Sequence, residues 1–164
     1  MKPAPAVTYS ATDLDVLTRT LFGEARGESR DGRIAVAWVI RNRARLASLY
    51  NDRRGHPHVL FGDGRIASAC QVRWQFSCWN VNDPNRSKLL TAGPHIPAFR
   101  DCQADATAVL EGNVADPTSN ATHYHTTTML RRVPGDAATW PPNWAAGKTP
   151  CVIIGGHAFY NDIG

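Results

Sequence analysis

The chain opens on a helical pattern of apolar positions. Leu14, Leu17 and Leu21 recur at the spacing that gathers side chains on one helix face. Ser10 precedes them with Asp13 three residues on, close to a capping box, so a helix is predicted to start near residue 11 or 13. Gly27 is placed to end it in a left-handed cap. Residues 1–9 read as an extended segment ahead of this helix. The run Ile34-Ala35-Val36-Ala37-Trp38-Val39-Ile40 follows. Its alanine content and the length of the segment favour a buried helix over a strand. Asp31 falls in its first turn and arginines crowd its tail, both suited to the helix dipole, and this second helix is predicted to run to about Ala47.

Residues 50–68 are rich in Gly, Asp and Arg and hold Pro57, a loop composition. Cys70–Asn80, CQVRWQFSCWN, is a compact aromatic segment in which Phe76 is the best core candidate. Asp83-Pro84-Asn85 and Asp116-Pro117-Thr118 read as turns. Pro97 to Gly112, with Phe99, Cys102, Ala106, Val109 and Leu110, reads as a third helix. Thr122–Thr128 alternates polar and β-favouring residues and is predicted as a strand. Residues 131–150, punctuated by Pro134, Pro141, Pro142 and Pro150, form a long loop. The end holds a short strand at Val152-Ile153-Ile154, a turn at Gly155-Gly156 and a second strand-like piece through Tyr160. Helices first and short strands last, without repeats or a linker, indicate one α+β domain over residues 10–164, mainly helical with a few short antiparallel strands.

Composition narrows the class. A chain of 164 residues is one ordinary domain. With 43% hydrophobic and 20% charged residues it is globular rather than disordered. No apolar run approaches the roughly 20 residues that span a bilayer, so stable membrane insertion is not expected. The first ten residues, MKPAPAVTYS, carry one Lys and no apolar stretch, and do not read as a secretory signal.

The net charge is +4, with basic clusters at Arg41-Asn42-Arg43-Ala44-Arg45, Arg53-Arg54 and Arg131-Arg132. Such clusters suit a solvated surface or attraction to an acidic polymer, a nucleic acid or an anionic cell wall. No RRM, OB or helix-turn-helix signature accompanies them, so nucleic acid is not the expected partner. The four cysteines include no CxxC pair, which speaks against a zinc ribbon or a thioredoxin site. Cys70 and Cys78 are spaced for a bridged loop, and an even count permits two disulfides; small buried thiols are the equal alternative.

Glu24 carries the most information. At about 100° per residue, Leu14, Leu17, Leu21 and Glu24 fall in a stripe roughly 80° wide. A carboxylate therefore points where the apolar face points, in the last turn of its helix, where the dipole disfavours negative charge. Desolvation and dipole both raise its pKa, and a carboxyl kept protonated can donate to a leaving oxygen. The structural alternative is pairing with Arg26 or Arg30 at a solvated helix end. Glu28 is either a second carboxylate or orienting partner, or part of the cap of the next helix with Ser29 and Asp31. Trp74, Gln75, Phe76, Ser77 and Trp79 combine aromatic faces with amide and hydroxyl groups, a mixture suited to a sugar-binding cleft or to a plug of the core. His123 and His125 flank Tyr124 and share one face of the predicted strand. With His157 they make a possible metal set. No HExxH or comparable signature supports it, and ordinary hydrogen-bonding histidines are the simpler reading; no metal and no cofactor are expected.

Four stretches resemble the SleB/CwlJ-like cell wall hydrolases, in the expected order and over nearly the whole chain. LTRTLFGEARGESRDGRIAVAWVIRNR at 17–43 resembles the GEARGE motif and the apolar helix that follows it. WQFSCWNVNDPN at 74–85 resembles the second motif, GNVADPTSNATHYH at 112–125 the third, and IGGHAFY at 154–160 the closing one. The resemblance implies a lysozyme-like, transglycosylase-like fold. It implies cleavage of the β-1,4 bond between N-acetylmuramic acid and N-acetylglucosamine in peptidoglycan, with Glu24 as the acid. Gln75, Ser77, Trp79, Tyr124, His157 and Tyr160 lie in its motif positions as candidate substrate-binding residues.

A single acid fits lytic transglycosylation, because a hydrolase needs a second carboxylate and Glu28, Asp31, Asp63 and Asp83 are the candidates for it. A metal-dependent wall amidase or peptidase using His123, His125 and His157 is the competing class. The expected partner is the glycan strand of the wall, met by a monomer outside the cytoplasm. A bare catalytic domain without a leader looks like a phage endolysin released through a membrane pore, or like a chain whose leader has been removed.

Overall fold

The computed structural model describes residues 5–163. Its helices are α1 (Ala11–Ala25), α2 (Arg30–Arg54), α3 (Ile66–Gln71), α4 (Arg86–Thr91) and α5 (Pro97–Leu110). Its strands are β1 (His123–Thr126), β2 (Val152–Ile154) and β3 (His157–Tyr160). They form one antiparallel sheet in the order β1-β3-β2, so the α+β class holds.

The capping box at the start of α1 is formed in full. Asp13 N donates to Ser10 Oγ at 3.1 Å, and Ser10 N donates to Asp13 Oδ2 at 2.9 Å. Asp13 Oδ1 also accepts the N–H of Ala67 at 2.8 Å, which ties the first turn of α1 to that of α3. Ahead of the cap, Val7 N bonds Leu110 O at 3.0 Å, and Arg41 reaches Pro5 O.

The end of α1 departs from expectation. Its C-cap is Arg26 in the right-handed region, and Gly27 is not among the glycines with positive φ. The Glu28 N–H bonds Ala25 O at 2.9 Å instead. The helix closes by tightening into an i→i+3 turn, which needs no left-handed residue. Ser29 then caps α2.

The apolar run of α2 is buried on every side, Ile34 through Ile40 alike, because α1, α3, α5 and β2 all pack against it. α2 also runs a full two turns beyond Ala47, to a left-handed cap at Gly55 (φ 72°) whose N–H bonds Asn51 O at 2.7 Å. Residues 50–54 are therefore helix, not loop, and the loop of 50–68 is further shortened by α3.

The main core joins α1, α2, α3 and α5, with Phe159 from the sheet. A second, small cluster of Ala145, Ala158 and Tyr160 lies on the other face of the sheet. β1 is shorter than predicted, since Thr127–Leu130 turns into a 3-10 helix, and the loop of 131–150 contains two further 3-10 turns. All four cysteines are free, so the Cys70–Cys78 bridge is not formed. Cys70 is sealed in α3, and Cys78 is spent beside Glu24.

Candidate active site

Glu24 stands in the last turn of α1, next to Leu21, which is fully buried. The 3-10 turn Ser77–Trp79 crosses over this helix end at Gly23. A Cβ at Gly23 would lie 2.7 Å from Cys78 Cβ and 2.9 Å from its Sγ, so only glycine allows the approach. The Cys78 N–H reaches Glu24 Oε1 at 3.4 Å. Burial pushes the Glu24 carboxyl above its ordinary 4.5, against the pull of the Cys78 hydrogen bonds and with help from the negative charge of Asp83.

Neither neighbouring arginine neutralises it. Arg26 turns back to Phe22 O at 2.9 Å and over the Phe22 ring. Arg30 pairs with Asp105 at 3.3 Å. Among the described residues Glu24 has no cationic partner.

Glu28 lies over the β2–β3 turn. Its Oε2 accepts the Gly156 N–H at 3.2 Å, and its Oε1 is 3.6 Å from His157 Nδ1. A Cβ on Gly155 or Gly156 would stand 2.6 or 2.8 Å from the Glu28 carboxylate. The glycine pair is thus the seat of this side chain. Burial lowers the basicity of His157, opposed by the Glu28 charge.

The strand register sorts the remaining candidates. His123 faces Tyr160 and His125 faces Ala158 across the β1–β3 ladder, while Tyr124 faces Phe159 and Thr126 faces His157. Directly opposed residues share a face and alternate residues swap faces. His123, His125 and Tyr160 therefore lie on one side, around the Trp144 ring. Tyr124 and His157 lie on the other, in edge contact with ring centroids 5.0 Å apart.

The three-histidine set is thereby split across the sheet. His125 Nε2 is 2.8 Å from Tyr160 Oη, and His123 Nδ1 is 3.0 Å from Thr122 Oγ1. Burial, with Arg43 close by, pushes the His123 imidazole down to about 4. Among the described residues no cluster of metal-ligating side chains is formed. Tyr124 is half-buried and near enough to Glu24 for that carboxylate to add to the burial that raises its phenol, and in turn it meets His157, which lies beside Glu28.

A cleft of about 910 Å³ meets this row of residues at Tyr124 alone. Tyr124 and Gln75 line it, with His123 from the opposite face of the sheet; Glu24 does not line it, though its charge is felt at Tyr124. Ser77 is exposed at the start of its 3-10 turn. Trp79 does not face the cleft: its indole N–H donates to Thr20 Oγ1 at 2.9 Å and its ring packs on the core. Tyr160 is fully buried.

The aromatic that does face the cleft is Trp74, exposed and at φ 69°, a strained backbone for a bulky residue. Tyr50, Arg53, Arg54 and Trp144 also line the cleft. The early stop predicted for α2 conceals that Tyr50 and the basic pair Arg53-Arg54 share a helix face with Arg43. Once the helix is extended, 43, 46, 50, 53 and 54 fall on one face of it.

Of the predicted second carboxylates, Asp63 is held by Arg65 at 2.6 Å and Asp31 is exposed in the first turn of α2. Asp83 Oδ1 accepts the Asn85 N–H at 2.8 Å.

Among known proteins, the cell wall hydrolase family matches residues 27–160, beginning just after Glu24. No curated protein matches the chain. Two solved structures share the fold. The catalytic domain of the germination-specific lytic transglycosylase SleB from Bacillus anthracis is 24% identical, with a TM-score of 0.59, over 92% of this chain and 95% of that one. The catalytic domain of the Bacillus cereus SleB protein is 22% identical, with a TM-score of 0.62, over 97% of each. These similarities establish the fold and, with the family match, the class: the chain belongs to the cell wall hydrolase family and is a peptidoglycan-degrading enzyme.

Proposed function

We propose that the chain is a lytic transglycosylase that cuts the β-1,4 bond between N-acetylmuramic acid and N-acetylglucosamine, with Glu24 as its single acid and base. The observation that carries this reading is the state of Glu24. Its carboxyl is desolvated, its pKa is raised, and the described residues offer it no cation. Such a group is shifted toward holding the proton that a glycosidic oxygen takes. The B. anthracis relative bears the name lytic transglycosylase, which agrees with this chemistry.

In the first step Glu24 protonates the glycosidic oxygen as the bond to the anomeric carbon breaks. The positive charge left on the sugar is met by its own N-acetyl oxygen. The C6 hydroxyl then bonds to the anomeric carbon and gives its proton to the Glu24 carboxylate, which closes a 1,6-anhydro ring and restores the acid. Gln75 and Trp74, on the cleft beside Tyr124, supply an amide and an aromatic face for sugar hydroxyls and C–H groups. Ser77 adds an exposed hydroxyl at the turn that covers Glu24. Tyr124 and His157 stand between the two glutamates, and Glu28 positions the β2–β3 turn. Tyr160 supports the sheet from its far side.

A hydrolase is the competing reading, favoured by Asp83, whose charge is felt at Glu24. It requires a carboxylate free to activate water or attack the sugar, whereas Asp83 is engaged in its own turn.

Glu24→Gln keeps the shape and removes the acid. Wall lysis is expected to fall by about 10²–10⁴-fold with the circular dichroism spectrum unchanged; lysis within a few-fold of the parent rejects the assignment. Mass spectrometry of digested wall separates the two chemistries. Anhydro-muramyl ends are expected, and reducing ends in their place mean hydrolysis.

A further inference from the structure

The cleft beside Tyr124 carries more positive charge than a neutral saccharide needs. One wall of it is the C-terminal half of α2, which presents Arg43, Tyr50, Arg53 and Arg54 in a single stripe. Arg43 lies at the base, 5% exposed. It donates from Nε to Thr122 O at 2.6 Å and from Nη1 to Gln75 Oε1 at 3.3 Å, and it stacks over Phe61 and Phe76. Its remaining nitrogen, Nη2, has no hydrogen bond among the described residues. Burial lowers its pKa to about 10, and among the described residues no carboxylate offsets this.

Arg53 and Arg54 stand exposed at the rim. Among the described residues, none of the three arginines has an acidic side chain within ion-pair distance. A buried guanidinium without a counter-ion is costly, and its planar fork is matched by a carboxylate. At about 910 Å³, the cleft is at the large end for a small-molecule site.

We propose that this arginine-lined lobe receives a carboxylate of the peptide stem that hangs from the muramic acid lactyl group. The glycan strand runs from Glu24 past Tyr124 to Trp74 and Gln75, which line the same cleft. The proposal rests on the glycan-cleaving reading above. In it, Trp74 and Gln75 hold the saccharide, and Arg53 and Arg54 draw the stem toward Arg43. The enzyme then discriminates between strands that bear acidic stems and strands that do not.

Three soluble substrates test this, all freed of accessory anionic polymers. They are glycan strands with their stems, the same strands stripped of stems by an amidase, and stem-bearing strands whose carboxylates have been converted to amides. The wild-type KM is expected to be about tenfold lower on the first than on the other two. Arg53→Ala/Arg54→Ala is expected to raise KM on the first to the level of the others, and Arg53→Lys/Arg54→Lys to restore most of the difference. Equal wild-type KM on all three overturns the proposal, as does a double alanine variant that shifts all three by the same factor. If the wild type cuts none of them, the glycan-cleaving reading fails. Calorimetric binding of the three substrates to Glu24→Gln then decides the stem site alone: about tenfold tighter binding of the first supports it, and equal binding overturns it.

Discussion

At Glu24 the requirement for an acid works against the fold. The site raises the carboxyl pKa by excluding water, so the protonated form is bound more tightly in the folded chain than in the unfolded one. Stability from this group is complete below its unfolded value of 4.5 and is lost as pH rises through the raised folded value. Above that window the wild type holds an ionised carboxylate in a half-buried place, and the amide of Glu24→Gln carries no charge there. The variant is therefore expected to melt higher than the parent at pH 8, by ~2–4 °C for each kcal/mol of relieved charge. Melting curves from pH 4 to pH 8 check the sign: the gap should close toward pH 4, and a gap independent of pH would mean the carboxyl is not desolvated. The helical wheel made this residue legible, because an acid on an apolar stripe is visible in spacing alone. The partners were not legible. Arg26 and Arg30 sit near Glu24 in sequence, yet Arg26 turns back one helical turn to Phe22 and Arg30 is taken by Asp105, the latter a contact that depends on how α5 meets α2.

Between elements, the α1–α2 connection and the β2–β3 turn are locked to each other through Glu28. Gly155 and Gly156 leave room for its carboxylate and donate one N–H to it. A methyl group at 156 would meet Glu28 Oε1 at 2.8 Å, and the flexible acid would have to move. Gly156→Ala is expected to cost about 1 kcal/mol and to slow wall lysis, because the turn carrying His157 shifts with it. In a Glu28→Ala background the same substitution should cost little. A thermal double-mutant cycle measures the difference; equal costs in both backgrounds would show that Glu28 does not hold the turn. The glycine turn and its two strands were readable in advance. The long reach of α2 was not, since Tyr50-Asn51-Asp52-Arg53-Arg54 has a loop-like composition and helix ends are set by caps and packing as much as by propensity.

For the whole molecule, burial decides the thiols. Cys70 and Cys102 lie in the core, where desolvation pushes them up to about 12 and about 11, and Cys78 is raised by burial and by Glu24. Cys151 alone is exposed. A maleimide is expected to label one thiol in the native protein and four in denaturant, and reductant should leave the melting temperature unchanged. Rapid native labelling of more than one thiol, or a lower melting temperature in reductant, would contradict the free, buried state. Cysteine spacing had allowed a bridge between residues 70 and 78. It says nothing about whether two side chains meet, which needs the packing of α3 against the turn over Glu24.

The amino-acid order by itself determined the helical first half, the closing strands, the α+β class and the acid on the apolar face. Each of these is a local period or a local capping pattern, and the motifs that carry the family resemblance are contiguous runs. Only the tertiary structure decided which face of the sheet each histidine takes, that Trp74 rather than Trp79 faces the cleft, and that three arginines share one lobe with no acidic partner among the described residues. Those facts depend on strand register and on elements distant in the chain, and register fixes a face only once the partner strand is known.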